Sequence, residues 1–194
     1  MNEIQLIRGQ LSTERSHASA VVSAGAVDAR SSGDEPLRGE FARACVDYLV
    51  HVLAWFEERD QRAGDLARSR STGAAGDAGS RVGRALEDAL SQPGRSREAL
   101  AKLERAVAAG GDAAAADASA LWQDFARYFD GVWSARRDAI DARLAEELRP
   151  AEWRAVAGID ADSILEERRR FARVRATLPA GVTLGEPAVV PVAR

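Results

Sequence analysis

Along the chain, apolar residues recur every three or four positions over long stretches, and no run of four to eight residues alternates apolar with polar. The pattern therefore predicts helices and no strands. A first helix is expected over residues 2–24, with Ile4, Ile7, Leu11, Ala18, Val21 and Val22 forming its stripe. "DARSSGDEP" (28–36) reads as a loop, and its Pro36 suits the first turn of a second helix running from about Leu37 to Ser69. Phe41, Cys45, Tyr48, Val52 and Phe56 share one face of that helix. The Gly/Ser/Ala-rich "STGAAGDAGS" (71–80) predicts a linker, followed by a short helix over 81–92 that "QPG" stops. Ser96 is expected to cap a helix running through Ala109, and "GGDAAAAD" (110–117) reads as a further linker. The next long helix, from about Ala118 to Leu148, carries Trp122, Phe125, Phe129, Val132, Ile140 and Leu144. Pro150 then opens a short helix, and Asp160 or Asp162 caps a last one over 160–178. After Pro179, Gly and Pro breaks predict an extended or disordered tail.

This order predicts an all-α domain over 1–178: an up-down-up-down four-helix bundle with additional short helices, an inserted linker and short helix at 71–94, and a tail at 179–194. The abundance of Ala, Arg, Glu and Leu agrees with it. A net charge of −3 gives no general electrostatic reason to bind nucleic acid, and the basic run "EERRRFARVR" (166–175) reads as a solvated helix face. No stretch of about 18 apolar residues occurs, so no membrane span is expected. A single cysteine, Cys45, excludes an internal disulfide. With no apolar signal core in "MNEIQLIRGQ", the expected compartment is the cytoplasm. No Gly-rich phosphate loop, Cys/His metal spacing or Ser-His-Asp set stands out, so neither an enzyme nor a cofactor is expected.

Candidate chemistry lies in charged residues that fall within the apolar stripes. At roughly 100° per residue, Glu14 sits within about 40° of the first stripe's centre. Arg59 falls about 20° from the centre of the second, while Glu57 and Glu58 fall outside it. In the fourth, Arg136 lies near the centre and Arg137 toward a margin. Each isolated buried charge costs several kcal/mol, so these groups must pair, reach water or serve a site. The glutamates of "WFEERDQR" and "ILEERRR" otherwise read as solvated faces. The two histidines, His17 and His51, lie at stripe edges, about 100° from the centres.

"WFEERD" (55–60) and "WSARRD" (133–138) repeat Trp-x-x-x-Arg-Asp in two long helices. With "FARACVDYLVHVLAWFEERDQR" and "LWQDFARYFDGVWSARRDAIDARLAEELRPAEW" around them, they resemble helices 2 and 4 of the hemerythrin-like family. In that family a di-iron centre is held by His and carboxylate side chains, typically His-x-x-x-Glu on those helices. The resemblance places Trp55 and Trp133 where the family has His, and Arg59 and Arg137 where it has Glu. The first-helix ligand position falls at Glu14 or Arg15, and "SREALAKLERAV" contains no histidine. Indole offers no accessible lone pair and guanidinium is a permanent cation, so neither replacement ligates a metal.

The resemblance thus implies a degenerate, metal-free member whose vacated site comprises Glu14, Trp55, Arg59, Trp133, Arg136 and Arg137. Both indoles are expected to be buried mid-bundle, with Glu14 in ion-pair reach of one of the arginines. Such a protein is expected to be non-enzymatic and to act by binding a partner protein or a small anionic ligand, and it is compatible with a homodimer. The alternative is an oxygen-binding or iron-handling metalloprotein with unusual ligands, drawn from Glu14, His17, Glu57 and Glu58.

Overall fold

A computed structural model describes residues 3–31, 39–71, 93–109 and 112–185. Its helices are α1 (Glu3–Ser31), α2 (Glu40–Ser71), α3 (Pro93–Ala109), α4 (Asp112–Tyr128), α5 (Ser134–Glu147), α6 (Pro150–Ala157) and α7 (Ala161–Ala176). A π-helical turn, Phe129–Trp133, joins α4 to α5. The described residues are all-α, with no strand among them. The predicted short helix over 81–92 and most of its linker lie outside the described residues, as does the tail beyond 185.

Several boundaries move from the expected ones. Helix α1 continues seven residues past Ala24, because Ala24, Gly25 and Ala26 are buried and their packing extends the stripe. Helix α3 begins at Pro93, which suits a first turn where the missing N–H is no loss. Ser96 is therefore a buried residue inside the helix, not its cap, and its hydroxyl meets the Tyr128 hydroxyl at 3.0 Å. Helix α4 begins at Asp112, since the four consecutive alanines of "GGDAAAAD" favour helix over linker. Asp160 caps α7 as expected: its carboxylate accepts the Ser163 N–H at 2.7 Å. The start of the tail is not loose, for Val182 is buried against the main core.

Helices α1 to α4 pack in a cycle, each against the next and α4 against α1, while α6 and α7 lie over the α1 and α2 side. Cross-helix pairs set the directions. Gly25 meets Trp122 and Arg15 meets Asp138, so α1 runs opposite to the α4–α5 rod. Ser96 against Tyr128 orients α3 opposite to α4 in the same way. The larger core gathers Val21, Val22, Leu49, Val52, Trp122 and Phe125. Trp122 is fully buried and donates its indole N–H to the Val22 carbonyl at 3.0 Å, which satisfies the one polar group that the ring carries. A smaller cluster of Ile140, Leu144, Trp153 and Val156 closes the other end, against Ile4, Ile7 and Leu11.

The π-helical turn changes the indexing of everything after it. Ser134 N–H bonds back five residues to the Phe129 carbonyl, so one residue more than an α-turn allows is accommodated there. The inward positions then read Phe129, Trp133, Arg137, Ile140 and Leu144, not Phe129, Val132 and Arg136. Val132 is 47% exposed and Arg137 only 6%. A uniform 100° projection cannot see this shift.

Candidate functional site

Between the two cores lies a layer of charge built from three dipeptides of opposite sign: Glu14-Arg15 on α1, Arg59-Asp60 on α2 and Arg137-Asp138 on α5. Consecutive helical residues point about 100° apart, so each dipeptide offers one charge to each neighbouring helix. The pairs close on themselves. Arg59 Nη1 donates to Glu14 Oε2 at 2.5 Å, Arg137 pairs with Asp60, and Arg15 reaches Asp138 at 2.6 Å. The second Trp-x-x-x-Arg-Asp motif thus hands its arginine to the aspartate of the first, and α1 supplies the other two partners.

Burial differs around this ring. Glu14 is wholly inaccessible and Arg59 and Arg137 are each 6% exposed, whereas the Arg15–Asp138 pair faces solvent. Gln10 also donates to Glu14, and Arg59 Nε donates to the Ala157 carbonyl at 2.9 Å, ending α6. Arg137 holds Asp141 as well, at 2.6 Å. Burial pulls the Arg137 guanidinium down, but Asp60 and Asp141 more than offset this and leave it raised. At Asp60 burial wins instead: the carboxyl lies above its ordinary value although Arg137 pulls it back. The Phe56 ring lies between the two buried cations, 5.6 Å from Arg59 and 5.7 Å from Arg137, and adds a cation–π contribution to each.

A second buried carboxylate was not foreseen. Glu167, in the stretch that reads as a solvated face, is fully inaccessible; its Oε1 accepts the Tyr48 hydroxyl at 2.9 Å and lies 2.8 Å from His17 Nδ1. His17 stacks on Phe171 with centroids 3.7 Å apart. Burial pushes the Tyr48 hydroxyl well above its usual range, and the neighbouring Glu167 adds to this. Helix α7 carries Glu166, Arg169 and Arg170 toward solvent and Glu167, Phe171 and Val174 inward, a 3–4 spacing that a charge-only reading of "EERRR" hides.

The two repeated tryptophans do different jobs, and neither is fully buried as expected; both are half-buried. Trp133 stacks on Phe129 at 4.4 Å and meets Phe56 edge-on, filling space between α2 and the π-helical turn. Trp55 turns away from that cluster, contacts His51 and Arg59, and forms a wall of a cleft of about 380 Å³ between α2 and the α6–α7 corner. Arg136 stands half-buried outside the inward stripe. Glu57 pairs with Arg97 and Glu58 with Arg62, so neither joins Glu14 and His17.

The di-iron centre that the resemblance implies does not fit these residues. Its four motif positions hold two indoles and two guanidiniums, and Glu14 is held against a cation 2.5 Å away. Among the described residues no three His, Cys, Asp or Glu side chains are grouped to hold a metal ion. Comparison with protein-family models, with curated proteins and with solved structures yields no match for the chain. No described helix is long and apolar enough to cross a membrane.

Proposed function

We propose that the chain is a non-enzymatic, hemerythrin-like, up-down-up-down four-helix bundle in which ion pairs stand in place of a di-iron centre, and which acts by binding a small ligand or partner. The observation that carries this reading is the closed set of pairs joining Glu14-Arg15, Arg59-Asp60 and Arg137-Asp138. It spans the positions where the resemblance puts ligands and commits their carboxylates to cations. A guanidinium beside Glu14 repels a metal ion and competes for the same oxygens. The network orders the helices around it, and the cleft beside Trp55 is left as the concave surface for recognition.

Metal analysis on protein made without a His tag, together with melting curves in iron, manganese and zinc, tests this. A metal that binds only the folded state at a hundredfold excess over Kd stabilises it by about 2.7 kcal/mol. The expected outcome is no shift with any of the three. A saturating shift that disappears in Glu14→Gln would restore the metalloprotein alternative.

A further inference from the structure

We propose that the cleft between α2 and the α6–α7 corner binds a small organic ammonium ion, seated against the Trp55 indole and facing Asp162. This deepens the ligand-binding reading above and rests on it. The cleft's volume of about 380 Å³ falls within the range of small-molecule sites, about 300–1,000 Å³. Its polar groups decide the sign of the ligand. Two guanidiniums reach it, and both are already used: Arg59 donates inward to Glu14 and to the Ala157 carbonyl, and Arg62 binds Glu58 and lies over Gly158.

The α7 N-terminus, ordinarily attractive to anions, is closed from within the chain. Asp160 accepts from the Ser163 N–H, and the Ser163 hydroxyl accepts from the Asp160 N–H at 3.0 Å. An incoming anion would therefore have to break an existing pair before gaining a donor. A cation breaks nothing. Asp160 holds the Ser163 N–H and Glu166 is paired with Arg169 and Arg170, so Asp162, with no ion-pair partner among the described residues, is the carboxylate of this wall left for a cation. The α2 side of the cleft supplies the Trp55 indole, the ring type with the strongest affinity for a cation, and the Arg59 guanidinium already lies 5.8 Å from its centre. An indole and an open carboxylate lining one cleft suit an alkylammonium, which presents both charge and apolar surface.

Calorimetric titration of the full chain with choline, and separately with acetate and inorganic phosphate, tests the assignment. Choline should bind saturably at one site per chain, and neither anion should bind. Asp162→Asn and Trp55→Leu should each weaken choline by about fivefold or more, on the order of a single cation–π or charge contact. Far-UV circular dichroism and melting curves check that Trp55→Leu is folded, and Asp162 is exposed enough for its variant to serve alone. No saturable choline binding, or equal binding by both variants, overturns the proposal. Binding of acetate or phosphate that is lost in Trp55→Leu overturns the ammonium assignment while leaving a ligand-binding bundle in place. A metal-dependent melting shift would instead strike the parent reading.

Discussion

The two halves of the helix cycle, one sealed by volume and one by charge, solve the same packing problem differently. Around Trp122, the helices meet through Val21, Val22, Leu49 and Phe125, and a single indole-to-carbonyl bond is the polar anchor. One layer further along the same helices, Glu14, Arg59, Asp60 and Arg137 occupy the interior and satisfy one another. The apolar half tolerates any side chain of the right shape, since hydrophobic burial is non-directional. The charged half admits only one pairing, because each dipeptide must present the correct sign to each neighbour. Such networks add little net stability but can fix helix order and register, and that is the role the comparison assigns here.

The sharpest way to break this contrast is to remove one charge. Glu14→Ala should cost about 3–5 kcal/mol, because it strands Arg59 in a site of almost no solvent access. Glu14→Leu combined with Arg59→Met should cost much less. Urea denaturation of both proteins decides it: a near-neutral single change would mean that Glu14 is solvated.

Deleting Gly131 should remove the one extra residue that the π-helical turn accommodates, join α4 to α5 through a plain α-turn and leave Arg137 at the inward position. Arg137→Ala should then cost about 3 kcal/mol in the shortened chain as in the full one, as for breaking a buried pair, and the deletion itself should cost less. A small Arg137→Ala cost in the deletion background would show that the turn does not set the register of α5.

In the apolar half, Gly25→Ala places a methyl group about 2.1 Å from the buried Trp122 ring. Overpacking of this kind costs about 1–3 kcal/mol, and the near-ultraviolet dichroism of the indole should change with it. An unchanged spectrum and melting curve would mean that Trp122 has room to move.

The smallest effects lie at the surface. Asp160→Ala should lower the melting temperature slightly through the lost cap. Backbone and side-chain donation from Ser163 holds the Asp160 carboxyl below its ordinary value, and a hydrogen bond from Arg15 does the same for Asp138. A depressed carboxyl contributes stability above its unfolded value, about 3.9, that is lost as pH falls through the folded one. Stability should therefore decline below about pH 4, and the decline should be shallower in a protein carrying Asp160→Asn and Asp138→Asn. An identical acid limb would remove these two groups from the account.

The sequence by itself determined that the described residues are helical, and part of the local chemistry that starts the helices. The 3–4 spacing of Ala18 and Val22, and of Tyr48, Val52 and Phe56, identifies buried faces, and Asp160 is legible as a cap because its partner is three residues away. That Glu14 would meet an arginine was legible too, since an acid and a base near two stripe centres in one interior have to pair, but the choice of Arg59 over Arg136 and Arg137 was not. Only the tertiary structure decided the rest. Arg137 displaced Arg136 because five residues at 129–133 wind as a π-helical turn, which no local propensity announces. Glu167 sank into the interior because Tyr48 and His17, 119 and 150 residues away along the chain, were there to receive it. Trp55 and Trp133 share a motif but not a role, because one helix turns its indole toward the α6–α7 corner and the other toward Phe129. Periodicity reports the direction in which a side chain leaves its own helix; what it meets there depends on the packing of the others.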